Sequence, residues 1–357
     1  MMRRLANLRE QLADLSLEGM LITNWENRRY LSGFTGTAGA LVIGVKEAFL
    51  ITDFRYWEQA ALESPDFELY KGGPRLWESV KELLAGLKWK RVGFEAGALT
   101  YKDYRSLEEL VAALAELVPV TDLVEQLRQT KDAQEIELIK KAAAITDLAW
   151  EKTIGMIKPG VQERELALEF DYQLRLNGAE GSAFPTIVAS GKRAALPHAA
   201  PSAKVIEPGE LVLIDGGAVY QGYHADMTRT VLLGKADPEQ RRIYDLVLKA
   251  QVEALNNLRA GLTGREADEF ARKVIAAGGY ADYFGHGLGH SVGLNIHENP
   301  RLSPTESNQI PKGAVVTVEP GIYLPDWGGI RIEDLVVVEE HGIRNLTGSP
   351  KEKLLEI

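Results

Sequence analysis

The chain has 357 residues, 41 Lys and Arg against 51 Asp and Glu, and no cysteine. That length exceeds what one hydrophobic core ordinarily supports, so two domains are expected. A net charge of −10 argues against nonspecific binding to nucleic acid or to an anionic membrane, and the lack of cysteine excludes disulfides and thiolate chemistry, leaving His, Asp, Glu and backbone as metal ligands.

The opening MMRRLANLREQLADL is basic but amphipathic, so neither a signal peptide nor a membrane span is expected, and a cytoplasmic setting fits. Leu5, Leu8, Leu12 and Leu15 recur at helical spacing, and the pattern stops at Gly19. GMLITNW and GALVIGVKEAFLITDF read as strands, RYWEQAALES and RLWESVKELLAGL as helices, RVGFEA as a strand, and YKDYRSLEELVAALAEL as a helix. This alternation predicts a smaller α/β domain with a mostly parallel or mixed sheet over residues 1–126. Two charged helices, DAQEIELIKKAAAITDLAWEKTIGMI and QERELALEFDYQLRLNG, open a second domain over 127–357. Strands then dominate, interrupted by DPEQRRIYDLVLKAQVEALNNL and READEFARKVIAAGG, which predicts an α+β arrangement.

Carboxylates stand at mirror positions in two candidate hairpins. In LVLIDGGAVYQGYHADMTRTVLL, Asp215 and Asp226 are equidistant from a point between Tyr220 and Gln221. A tight turn there would set them directly opposite each other, about 4.5–5.5 Å apart at Cβ. In AVVTVEPGIYLPDWGGIRIEDLVVV, Glu319 and Glu333 mirror about Asp326. A single Asp at a strand end is ordinarily a cap or turn residue. Two opposed pairs inside apolar strands repel unless a cation lies between them. Four carboxylates and an imidazole suit two hard or borderline divalent ions, bridged about 3.5–4 Å apart. The HExxH layout is absent. The run GHGLGHSVGLNIHENP supplies three of the six histidines, and its glycines are expected to let the backbone approach a substrate closely.

IDGGAVYQGYHADMTRT, GHGLGHSVGLNIHE, VEPGIY and GIRIED together resemble the M24 metallopeptidases, and within them the Xaa-Pro peptidases prolidase and aminopeptidase P. NRRYLSGFTGTAG and ITDFRYWEQA resemble pieces of the creatinase/prolidase N-terminal domain. The resemblance implies a "pita-bread" catalytic domain holding two divalent ions, Mn first, with Co, Zn or Fe as alternatives. It implies Asp215, Asp226, His290, Glu319 and Glu333 as ligands, Asp226 and Glu333 bridging, and a shared water or hydroxide as the attacking group. Glu319 matches the proton shuttle, His297 the residue that contacts the substrate carbonyl, and His198 the facing wall of the proline pocket. His286 and Tyr323 match pocket positions, Arg331 an arginine beside the metal carboxylates, and Arg301 a prolidase arginine for the substrate carboxylate. His224 and His341 match no catalytic position. A homodimer is implied as well.

An Xaa-Pro bond lacks the N–H by which ordinary peptidases hold a backbone. The expected substrate is therefore a peptide with proline second, with Xaa-Pro dipeptides slightly favoured over longer Xaa-Pro peptides. Competing readings are a metal-free binding module on the same fold, a methionine aminopeptidase and a creatinase. The five intact ligands oppose the first, the extra N-terminal domain opposes the second, and a creatinase would not need these ligands.

Overall fold

The computed structural model describes residues 2–357. The chain divides into two compact units, Met1–Arg128 and Gln129–Ile357.

The first unit is built on six strands: β1 (Gly19–Ile22), β2 (Ala40–Gly44), β3 (Ala48–Thr52), β4 (Glu68–Lys71), β5 (Arg91–Glu95) and β6 (Glu116–Val120), in the order β4-β3-β2-β1-β5-β6. The sheet is mixed: β2 pairs antiparallel with β1 and β3, and the outer pairs are parallel. Six helices accompany it: α1 (Met2–Asp14), α2 (Trp25–Ser32), α3 (Trp57–Glu63), α4 (Leu76–Leu87), α5 (Tyr101–Val111) and α6 (Leu123–Arg128). Leu83, Leu84, Leu107 and Val111 pack on Val92, Phe94 and Val42 to form its core. Helix α5 ends at Val111, short of the helical run read from the sequence. The chain turns over residues 112–114, and the end of the run enters β6, an edge strand parallel to β5 that tolerates Pro119. Pairing to β5 overrides the helical periodicity there.

The second unit starts with α7 (Ala133–Ile154), opened by a capping box, and α8 (Glu163–Leu176), where the Glu165 carboxylate accepts from the Gln162 N–H (2.7 Å). Then follow β7 (Gly181–Ser182), β8 (Ile187–Ser190), β9 (Leu211–Gly216), β10 (Ala218–Tyr220), β11 (Tyr223–His224) and β12 (Met227–Leu232). Helices α9 (Pro238–Asn257) and α10 (Gly264–Ala277) come next, then β13 (Gly289–Ser291), β14 (Glu298–Leu302), β15 (Val315–Val318), β16 (Gly321–Leu324), β17 (Gly328–Arg331), β18 (Asp334–Glu339), β19 (Gly342–Asn345) and β20 (Leu355–Glu356). One sheet runs β20-β12-β9-β8 and another β14-β13-β15-β18-β19. Helix α9 lays Ile243, Val247 and Ala254 against Val316, Val318 and Val336 in the larger core.

The first hairpin turns at Gln221 and Gly222, whose φ of +45° and +76° suit a two-residue type I′ turn. The centre lies one residue beyond the one read from the sequence. Asp215 therefore opposes Thr228, not Asp226. Moving the centre by one residue moves the register by two, so Asp215 and Asp226 keep the same face as diagonal neighbours. The second hairpin centres on Asp326 as expected: Gly321 pairs with Arg331, and Val318 with Asp334. Between those ladders the Ile332 N–H reaches Pro320 O at 3.4 Å. The Glu319 N–H turns to Leu288 O (2.8 Å) and the Glu333 N–H to Thr228 O (3.1 Å). The second bond ties the second hairpin to the first and brings the carboxylate sets together.

Candidate metal centre and substrate cavity

Ligand-type atoms of Asp226, His290 and Glu333 all lie within 4.8 Å of one another, and all three residues are buried. His290 Nε2 is 3.5 Å from Asp226 Oδ2 and 3.6 Å from Glu319 Oε1. His290 Nδ1 faces Ser291 O at 3.2 Å. With the proton placed on Nδ1, the Nε2 lone pair points into the carboxylate cluster. Asp215 Oδ1, Asp226 Oδ1 and Glu333 Oε1 are buried and receive no hydrogen bond. Three buried carboxylate oxygens without a hydrogen-bond donor are costly unless a cation meets them. The donor set is all oxygen and nitrogen, which fits a divalent ion of hard or borderline character.

The charges repel as this reading requires. Burial pushes Asp215 up to about 7 against the pull of Arg331, and the charges of Asp226 and Glu319 add to the rise. Burial, then Asp226, Glu319 and Asp215, hold Glu333 well above the usual carboxylate range. Burial alone would lower His290, but the Asp226 hydrogen bond and the charges of Glu319 and Asp226 outweigh it and raise it to about 8. Arg331 braces the cluster. Its guanidinium contacts Asp215, its Nε donates to Thr228 Oγ1 (2.9 Å) and its Nη1 to Tyr323 Oη (2.7 Å). The Thr228 hydroxyl donates onward to Glu333 Oε2 (2.7 Å).

A cavity of about 540 Å³ opens over these residues. His198, His286, His297, Arg301 and Arg331 line it together with Asp215, Asp226, His290, Glu319 and Glu333. The rings of His290 and His297 meet edge to face, centroids 4.4 Å apart. Burial and the neighbouring His290 lower the His297 imidazole, so it is neutral at neutral pH. Tyr323 is not among the lining residues. It stands behind them, its hydroxyl between Arg331 and His286 Nε2 (2.9 Å). Because Arg331 only donates, the phenol proton goes to His286 Nε2, and His286 Nδ1–H bonds Gly287 O (2.8 Å). Both nitrogens of His286 are thus engaged within the protein, and burial lowers its pKa. His224 lies elsewhere, its Nδ1 3.1 Å from Gly293 O, and His341 is exposed.

Comparison with known proteins accords with this geometry. Residues 137–340 match metallopeptidase family M24, and residues 4–130 match the creatinase/prolidase N-terminal domain. The chain belongs to metallopeptidase family M24. An Xaa-Pro dipeptidase of Pyrococcus furiosus is 39% identical over 357 residues, 99% of this chain and all of that one. The structure of an Xaa-Pro dipeptidase from Bacillus anthracis superposes with a TM-score of 0.97 at 43% identity, covering 100% of this chain and 99% of that one. An X-Pro aminopeptidase from Thermotoga maritima gives 0.90 at 40% identity, covering 96% and 98%. The second unit of this M24 enzyme is accordingly the α+β pita-bread domain, and membership implies a metal cofactor.

Several residues of the M24 site escaped the sequence reading. Thr228 links Arg331 to Glu333. Its signal was available: it follows Asp226 by two residues on one strand face. Phe184, Pro185 and Ile296 are part of the cavity's apolar lining, and nothing local in their sequence marks them. Three glycines of the histidine run also meet neighbouring protein closely, and two of them, Gly287 and Gly289, line the cavity. A Cβ on Gly289 would lie 2.1 Å from Thr317 O, one on Gly287 2.7 Å from Leu302 O, and one on Gly293 2.6 Å from the Glu298 carboxylate. Gly287, Gly289 and Gly293 thus leave room for the neighbouring segments that pack on the histidine strands.

Proposed function

We propose that this M24 enzyme hydrolyses the Xaa-Pro bond of Xaa-Pro dipeptides with two divalent ions, Mn first among Mn, Co, Zn and Fe. The observation that carries the reading is the buried Asp226, His290 and Glu333 cluster, with unpartnered oxygens on Asp215, Asp226 and Glu333, in a cavity lined also by His198 and His297. Asp215, Asp226, His290, Glu319 and Glu333 would hold the ions. Bound divalent ions supply Lewis acidity and acidify water near neutral pH. The chain's own groups do the rest. Neutral His297 donates to the substrate carbonyl as negative charge grows on its oxygen. Glu319 takes a proton from the attacking water and delivers it to the prolyl nitrogen as the C–N bond breaks. Arg331 keeps Asp215 and, through Thr228, Glu333 in place. His198 faces the proline ring, and His286 with Tyr323 behind it forms a neutral wall. Arg301 receives the free carboxylate of a dipeptide. Relatives named Xaa-Pro dipeptidase support the substrate class.

The relative named X-Pro aminopeptidase supports a second reading, release of the N-terminal residue from longer Xaa-Pro peptides. Turnover of Xaa-Pro against Xaa-Pro-Yaa separates the two. Faster dipeptide cleavage is expected, and a strong tripeptide preference would sink the dipeptidase reading. Arg301→Ala should raise KM for the dipeptide and leave a tripeptide amide unaffected. Metal analysis of protein prepared without chelator should give two ions per chain. Less than one ion, with no activity on added Mn or Co, would instead favour a binding module. A homodimer in the cytoplasm belongs to the same proposal, and light scattering at micromolar concentration measures the former.

A further inference from the structure

Glu163, the first residue of α8, is fully buried, and the chemistry above makes no use of it. Its carboxylate gathers five donors. Oε1 accepts from Ser190 N (2.8 Å) and Ser190 Oγ (3.0 Å). Oε2 accepts from Ser202 N (3.1 Å) and Ser202 Oγ (2.6 Å). Arg193 Nε reaches both oxygens, at 3.3 and 3.0 Å. The backbone of the same helix turn adds two bonds, Glu163 N to Lys204 O and Arg164 N to Ser202 O. One carboxylate therefore staples the two ends of segment 190–202, with Arg193 held between them. Arg193 extends the clamp to Ala200 O (2.7 Å). The middle of that segment, Pro197 to Pro201, supplies five consecutive residues of the cavity wall, His198 among them.

We propose that Glu163 is a positioning residue that sets the wall carrying His198, and thereby the enzyme's discrimination between proline and an open-chain residue after the scissile bond. The assignment rests on the Xaa-Pro reading given above. The physical reason is the donor count. A carboxylate only accepts, so both ends of the segment can share it; an amide of the same shape turns two N–H groups toward donors. The segment then loses one end of its staple without a cavity being opened. A wall displaced by a fraction of an ångström discriminates poorly between a ring and an open chain, because shape selectivity of this kind is worth only about 10–200-fold to begin with.

The test compares kcat/KM for Xaa-Pro and Xaa-Ala dipeptides of matched Xaa in metal-loaded wild type, Glu163→Gln and Ser202→Ala. Metal content and melting temperature are measured on the same preparations. Glu163→Gln should retain wild-type metal content and lower the Pro/Ala ratio about tenfold, mostly through KM for Xaa-Pro. Ser202→Ala should lower it less. A ratio unchanged within twofold, whatever happens to the melting temperature, overturns the positioning role and leaves Glu163 a helix-terminal brace. If Glu163→Gln does not fold, Ser202→Ala decides on the same criterion. A wild-type enzyme with no proline preference is a separate outcome that overturns the Xaa-Pro reading itself.

Discussion

The neighbouring imidazoles of His290 and His297 differ in what surrounds them. His290 has its Nδ1 against a backbone carbonyl and its Nε2 among carboxylates, the arrangement of a ligand. His297 lines the same cavity with its pKa lowered by burial and by His290, the state of a neutral hydrogen-bond donor. Truncation should separate them. His290→Ala should lose bound metal by elemental analysis. His297→Ala should keep it and lose about 10²–10³-fold in kcat, the usual effect of removing one donor to a developing oxyanion. Metal loss in His297→Ala would merge the two roles. Residue types and spacings made the four carboxylate candidates legible, and the resemblance to the M24 motifs singled out His290 among the clustered histidines. They did not reveal that His286 spends both nitrogens on Gly287 and Tyr323, because that depends on which hydroxyl lies behind it.

Strands set the spacing of the site. Sequence symmetry sets Asp215 opposite Asp226, whereas the Gln221-Gly222 turn moves the partner to Thr228. The expectation of a shared face survives because side chains alternate with a period of two and the slip is two residues. Strand β13, which carries His290, lies so close to Thr317 that only glycine fits before the histidine. Gly289→Ala should therefore cost about 1–3 kcal/mol, as overpacking of a tight core does, and lower the melting temperature. Because that strand delivers the imidazole, metal affinity should fall with it. A stable variant with unchanged metal affinity would show that β13 can shift at no expense to the site.

Across the whole molecule, the metal centre should dominate the pH dependence of stability. Asp215 titrates near 7 in the folded chain against about 3.9 unfolded, and His290 near 8 against about 6.5. Both folded values are raised, so both groups hold protons in the folded state that the unfolded chain has released. Their contribution is present at low pH and disappears as pH rises through 7 and then 8. Metal-free protein should thus lose melting temperature from about pH 4, where unfolded Asp215 ionises, up to about pH 8. Divalent ions bind the deprotonated ligands and should cancel the loss, so the gap between metal-loaded and chelated melting curves should widen with pH. A gap that narrows would contradict this account of the cluster.

Local pattern and residue chemistry carried much of the information about this protein. Hydrophobic periodicity, turn residues and capping signals are short-range, and they marked the long helices α7 to α10 and the strands that bear the carboxylates. The mirrored acids and the histidine run carried the metal chemistry, since like charges inside apolar strands need a counter-charge wherever the strands end up. Other features needed the folded chain. Helix α5 yields to strand β6 because β5 offers it a partner, the turn at Gln221 sets the true register, and Glu333 reaches Thr228 across more than a hundred residues. The same holds for the clamp of Glu163 on Ser190 and Ser202. Each depends on which distant backbone or side-chain group arrives beside it, and the sequence neighbourhood of a residue holds no record of that.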